Sequence, residues 1–253
     1  MKVILIGSGN VATHIGLALK DAGVLVTQVW SKQYDHAQAL ATLVSADAIE
    51  NLNKLDQTAD FCIIAIKDDA ILSMAKELTT FKGIIVHTSG AVDLTVFEGF
   101  EKYGVFYPLQ TFSIAKEIDF STVPICIEAN TGVVLTCIEE LAKKLSRYVV
   151  EIGSDKRKIL HLAAVFACNF TNHLYAISAD LLSSHGLDFN LIRPLILETA
   201  EKVQLTSPKN VQTGPAVRND ERTMKKHEEL LLEQPQLINI YQILSESIKK
   251  TKK

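Results

Sequence analysis

Along the first 150 residues, short apolar runs alternate with stretches whose apolar positions recur at helical spacing. The runs fall at 3–6, 24–30, 61–66, 84–87 and 105–107, rich in β-branched or aromatic residues and bounded by Gly, Asp or Ser, and they predict strands. Residues 10–22, 35–44 and 70–78 lie between them and predict amphipathic helices. Two more strands are expected at 123–128 and 148–152, flanking a helix at 132–145. Strands that are apolar almost throughout need cover on both faces, so the alternation predicts a parallel sheet between helical layers.

After Gly153 the pattern changes, and no strand is expected. Helices are predicted at 156–184, 190–205, 221–233 and 236–249, with a Gly/Pro loop before the last two. The change of pattern puts a domain boundary near 152–154, giving domains 1–152 and 153–253. From Ile159 to Ala167 the first of these helices is apolar nearly all round. Such a helix must be enclosed on every side, which predicts a homodimer formed through the helical half.

The 253 residues carry 26 Lys+Arg and 29 Asp+Glu, a net charge of −3. Four lysines (Lys249, Lys250, Lys252, Lys253) crowd the C-terminus, and the other residues, with 22 cations against 29 anions, sum to −7. A body that acidic argues against nucleic acid as a partner. Cys62, Cys126, Cys137 and Cys168 are scattered among apolar neighbours without metal-ligand spacing, so they are expected as reduced, mostly buried thiols and no metal is expected. The apolar run before Gly7 is too short for a secretory segment and no stretch reaches membrane-spanning length, so a cytoplasmic protein without a membrane partner is expected.

The strongest motif is Gly7-x-Gly9-x-x-Ala12, directly after a strand and opening a helix. Gly7 permits the tight turn, Gly9 lets backbone approach a diphosphate, and Ala12 lets helix and strand pack closely. The helix N-terminus then offers free N–H groups and positive dipole to the anion. This predicts a Rossmann-like dinucleotide site using Gly7, Ser8, Gly9, Asn10 and Val11. At the end of the second strand an NAD-selective site wants a carboxylate for the ribose. The chain has Ser31 and Lys32 there instead, which favours NADP over NAD, although both could be solvated loop residues and Asp35 lies close. Ile66 and Lys67 follow another strand, where Lys67 could approach the cofactor and Asp68 or Asp69 could cap the next helix.

His87-Thr88-Ser89-Gly90 and Tyr107-Pro108-Leu109-Gln110-Thr111-Phe112 close two strands, the edge of such a sheet at which ligands bind. Ser89 could donate to a substrate oxygen, and Gln110 and Thr111 could bond an amide or carboxylate, or all could serve ordinary turns. His161 and Asn172 are polar intrusions in the long helix, eleven residues apart and so about 20° apart around a straight α-helix. They could face a small-molecule substrate or satisfy a core network. Arg218, in the Gly/Pro loop, could clamp a carboxylate or phosphate, or pair with Asp220 at the start of the next helix; His227 follows seven residues after Asp220.

Together, Gly7-x-Gly9-x-x-Ala12, His87-Thr88-Ser89-Gly90-Ala91, Pro108-Leu109-Gln110-Thr111-Phe112 and Gly214-Pro215-x-x-Arg218-x-Asp220 resemble a bacterial group of Rossmann-like candidate NADP oxidoreductases. These carry a C-terminal helical domain of unknown function and are similar in plan to pyrroline-5-carboxylate reductase and the 6-phosphogluconate dehydrogenase superfamily. The resemblance implies an α/β Rossmann-like sheet, an all-α second domain and a dimer with cofactor clefts beside the helices. β-Hydroxyacid dehydrogenases place a lysine on the interdomain helix with an asparagine one turn later; here Lys158 is followed at that spacing by Leu162, so their proton donor does not carry over. His161 is the expected acid, because imidazole exchanges protons most readily near neutrality. The expected function is hydride transfer between NADP and a small polar C=O or C=N substrate, oriented by Ser89 and held by Arg218. The alternatives are a catalytically inactive NADP(H)-binding sensor or assembly protein and, from the Pro108 segment, a prephenate-dehydrogenase-like role.

Overall fold

The computed structural model describes residues 1–251. Strands β1 (Lys2–Ile6), β2 (Leu25–Trp30), β3 (Asp47–Ile49), β4 (Phe61–Ile64), β5 (Ile84–His87), β6 (Tyr103–Pro108), β7 (Ile125–Ala129) and β8 (Val149–Glu151) form one sheet in the order β3-β2-β1-β4-β5-β6-β7-β8. Its flanking helices are α1 (Asn10–Asp21), α2 (Tyr34–Val44), α3 (Asp68–Glu77) and α4 (Gly132–Leu145). The apolar strands work as the pattern requires. Val3 and Leu5 enter one core with Ile15, Leu40 and Ile138, while Ile4 and Ile6 enter a second with Ile71 and Met74. Alternate residues of one strand thus feed opposite faces, and burial of both leaves no polar position in β1 beyond Lys2.

Two features differ from the expectation, one in strand direction and one in strand number. β7 runs antiparallel to β6, while β8 returns to a parallel pairing with β7. The β6–β7 connection contains only a 3₁₀ turn at Phe120–Thr122, and without a crossover helix the chain re-enters the sheet in the opposite sense. β3 is an unpredicted strand of three residues, too short to show alternation.

The helical part comprises α5 (Ser154–Ala164), a π-helical segment (Val165–Phe170), α6 (Thr171–Ser184), α7 (Arg193–Leu205), α8 (Glu221–Leu230) and α9 (Pro235–Thr251). The described chain divides into two compact units, one over 1–173 and one from Leu174 onward, with the division inside α6. The π segment interrupts what the sequence reads as one uniform helix. Cys168 lies in it and is exposed, Cys137 is half-buried, and only Cys62 and Cys126 are buried. Among the described residues, no helix is long and apolar enough to cross a membrane.

Candidate dinucleotide and substrate site

β1 lies between β2 and β4, where the strand order changes direction and opens a crevice at the carboxyl edge. The turn after β1 is stitched to both neighbours: the Gly7 amide donates to Trp30 O at 2.7 Å, and the Ala65 amide to Ile6 O at 2.8 Å. Gly7 has φ +118°, and a Cβ there would lie 2.1 Å from the Ala65 carbonyl oxygen, so no side chain fits. Gly9 is the N-cap of α1, no side chain caps that helix, and a Cβ on Gly9 would meet nothing within 4 Å. An uncapped positive helix end facing open space suits a dinucleotide diphosphate. Backbone of Gly7, Ser8, Gly9, Asn10 and Val11 would hold it.

The side chains around this turn have more specific tasks than the motif states. Ser8 Oγ donates to Ser31 Oγ at 2.8 Å, joining the phosphate turn to the end of β2. Lys32, exposed beside Ser31, supplies a cation at the same corner. Asn10 turns its side chain away from the diphosphate position: Nδ2 donates to Phe112 O at 3.0 Å, and one turn later His14 Nε2 lies 3.0 Å from Ser113 O. Together they fasten the segment after β6 onto α1. Ile66 lies against Gly7, its Cγ2 3.1 Å from the position a Gly7 Cβ would take. Lys67 is the N-cap of α3, and Asp68 and Asp69 stand in the first turn rather than capping it. There their charge favours the helix N-terminus without a side-chain cap.

At the other end of the carboxyl edge, β5 delivers His87 and the Ser89–Gly90 turn, while β6 delivers Tyr107. Ser89 is buried and its Oγ accepts from the Ala91 and Val92 amides, both at 3.0 Å. Its hydroxyl therefore closes the turn, leaving only its proton for a ligand. The Tyr107 hydroxyl and His161 Nδ1 are 3.1 Å apart, with rings nearly perpendicular at 77°. Gly90 sits directly beneath this pair: a Cβ there would lie 2.7 Å from the His161 ring and 2.8 Å from Tyr107 Cζ. Burial pushes the Tyr107 phenol up to about 12.

Helix α5 is held in place by buried charge. The fully buried guanidinium of Arg157 pairs with Glu128 on β7 and donates to Val92 O and Ser154 Oγ. Ser154 in turn donates to both Glu128 carboxylate oxygens, at 2.9 Å from its amide and 2.8 Å from its hydroxyl. Lys158 Nζ bonds Asp93 at 2.7 Å, and that bond holds the Asp93 carboxyl down at about 2.

The structure brings His161 and Tyr107 together over the Gly90 that follows Ser89, but Asn172 stands apart. Asn172 is exposed, and the π segment lies between it and His161. A π turn takes one extra residue, about 100° of the helical wheel, so the straight-helix alignment of the two is lost. Gln110 Oε1 accepts from its neighbour's amide at 2.7 Å and serves the local turn. In the second unit Arg218 is exposed, and with Arg222 it lowers the pKa of Asp220 after the bonds from Thr223. Asp220 caps α8 as expected. His227 Nδ1 pairs with the Tyr241 hydroxyl at 2.9 Å. Sequence reasoning places the segments of His87 and Tyr107 at the ligand edge without giving either residue a role, and it misses the Arg157–Glu128 pair. One signal was present: Arg157 precedes His161 by four residues, which places both on one face of α5.

Comparison with known proteins bears on the family and the fold. Residues 2–88 match the family described as "NADP oxidoreductase coenzyme F420-dependent", and residues 123–248 match "Domain of unknown function (DUF2520)". A crystal structure of a candidate NADP oxidoreductase from Bacteroides fragilis is 40% identical, covers 98% of each chain and superposes with a TM-score of 0.94. The fold is shared with an imine reductase from Myxococcus stipitatus in complex with NADP+ (14% identity, 99% and 92% coverage, TM-score 0.68). It is shared also with a 1-pyrroline-5-carboxylate reductase from Streptococcus pyogenes (14% identity, 99% and 98% coverage, TM-score 0.65). No curated protein matches the chain. The dinucleotide turn, the two matched segments and the relation to the Bacteroides protein lead to one assignment: the chain belongs to the Rossmann-like NADP oxidoreductase family that carries the DUF2520 helical domain.

Proposed function

We propose that the chain is an NADP(H)-dependent reductase of small polar compounds bearing a C=O or C=N bond, with His161 as proton donor. The observation that carries this reading is the Tyr107–His161 pair resting on the Ser89–Gly90 turn, at the same sheet edge as the open dinucleotide turn. When bound, the nicotinamide supplies the hydride. Protonated His161 keeps its Nδ1–H on the Tyr107 oxygen and releases the Nε2 proton to the substrate atom that gains charge. Tyr107 retains its own proton to about pH 12, so it orients the ring without competing as an acid. The free Ser89 hydroxyl proton steadies the same substrate atom.

Ser31 and Lys32 are the proposed contacts for a ribose 2′-phosphate, which supports NADPH over NADH. A second copy of the chain is the proposed cover for the apolar residues left in solvent, among them Ile159 (67% exposed) and Phe166 (63%). Fluorescence titration is expected to show NADPH bound more tightly than NADH, with Lys32→Ala weakening NADPH by about tenfold and sparing NADH. NADPH oxidation with a panel of keto acids and cyclic imines is expected to give turnover that His161→Ala abolishes. Failure to bind either coenzyme would overturn the proposal. Tight binding without turnover across the panel would instead favour a nucleotide-binding sensor.

A further inference from the structure

Among the described residues His87 is the one histidine with no solvent exposure, and the reaction proposed above makes no use of it. It ends β5, its ring lies 5.5 Å from that of Phe97, and its Nδ1 accepts from the Ser89 amide at 3.2 Å. A backbone N–H can only donate, so Nδ1 carries no proton and the neutral ring holds its hydrogen on Nε2. The groups that face it are Arg157 from α5, Asp93 and Ser89 from the turn, and Phe97 from the following 3₁₀ turn. Burial and the Arg157 charge hold His87 down at about 3, so it stays neutral throughout the ordinary working range.

The Ser89–Gly90 turn is thereby fastened from two sides. Ser89 Oγ ties it forward to Ala91 and Val92, and His87 Nδ1 ties it back to the strand. Gly90 in this turn is the surface on which His161 and Tyr107 rest. We infer that His87 is a positioning residue: as a neutral Nε2–H imidazole it anchors the Ser89 amide and so fixes the floor beneath the Tyr107–His161 pair. The inference deepens the reductase reading and rests on it for its catalytic consequence, but its structural content can be tested without turnover.

The test uses the full chain labelled with ¹⁵N-histidine. In the wild type, His87 is expected as the Nε2–H tautomer, unchanged between about pH 5.5 and 8.5. A protonated Nδ1, or titration in that interval, overturns the inference before any variant is made. His87→Phe is expected to shift the His161 side-chain nitrogen resonances at fixed pH. His87→Asn keeps an acceptor oxygen for the Ser89 amide and is expected to restore them. With an active substrate in hand, His87→Phe should lower kcat by about tenfold, as expected for loss of one positioning contact, with NADPH affinity unchanged, and His87→Asn should recover most of it. Unmoved His161 resonances in folded His87→Phe overturn the inference; should that variant fail to fold, His87→Asn and the wild-type tautomer still decide it. If no substrate turns over, the reductase reading fails while the spectra still judge the anchor.

Discussion

A methyl group placed on Gly90 separates the two ends of the site. The new Cβ would lie 2.7 Å from Cγ and Nδ1 of His161 and 2.8 Å from Tyr107 Cζ. Carbon contacts settle near 3.5–4.0 Å, so a ring must retreat by roughly 1 Å. Tyr107 lies in β6 between β5 and β7 and is only 8% exposed, leaving it little room. His161 is half-buried and is the ring that yields, which breaks the 3.1 Å bond to the Tyr107 hydroxyl. Overpacking of this kind costs about 1–3 kcal/mol, part of it the roughly 1 kcal/mol of the lost hydrogen bond. For a chain of this length that lowers Tm by roughly 2–10 °C. Gly7 and Gly9 touch neither ring, so NADPH affinity measured by fluorescence should stay within about twofold. Misplacing the proton donor by 1 Å should lower kcat by about tenfold to a hundredfold. Gly90→Ala that melts lower yet keeps wild-type kcat and KM would refute the assignment of this pair to proton transfer. An unchanged Tm would refute the packing argument itself.

Other outcomes follow from the buried charges. Glu128→Gln leaves the fully buried Arg157 guanidinium without its countercharge, which should lower stability by about 3–5 kcal/mol in denaturant titration. Arg157→Met with Glu128→Leu should recover most of that stability, because packed apolar groups replace such a pair at little loss. The folded chain holds His87 down at about 3, while the unfolded chain has the ordinary value near 6.5. Between those values only the unfolded state takes up the proton, so stability is full above about pH 6.5 and declines as pH falls toward 3, by up to about 4–5 kcal/mol. Urea melts of wild type and His87→Asn across that interval should differ in slope; parallel curves would show that His87 does not govern acid sensitivity.

The features legible in the sequence are those carried by neighbouring residues. The turn from Gly7 to Ala12 is local, and each of its requirements maps onto one residue type at one position. Strand runs such as 61–66 were legible because burial on both faces leaves an unbroken apolar signature. The sense of β7 was not, since direction depends on whether the preceding connection contains a helix, and the segment 109–124 reads as plain loop either way. The Tyr107–His161 contact joins residues 54 apart, and Arg157–Glu128 residues 29 apart. Periodicity holds no record of such pairings. The π segment escaped notice because Val165–Phe170 has the same apolar character as the helix around it.

The buried ion pair bears on function through geometry rather than stability. An apolar set of similar volume could hold α5 against the sheet at least as well. What apolar packing lacks is direction. Arg157 reaches a strand carboxylate, a loop carbonyl and a hydroxyl on its own helix, and Lys158 adds Asp93 from the turn. A rotation of α5 by one residue, about 100°, would break every contact made outside the helix. His161 stands one turn further along the face that carries Arg157, so the same rotation would carry its ring away from Tyr107. The charge cluster therefore fixes the angular setting of the helix, and with it the line along which His161 can present a proton.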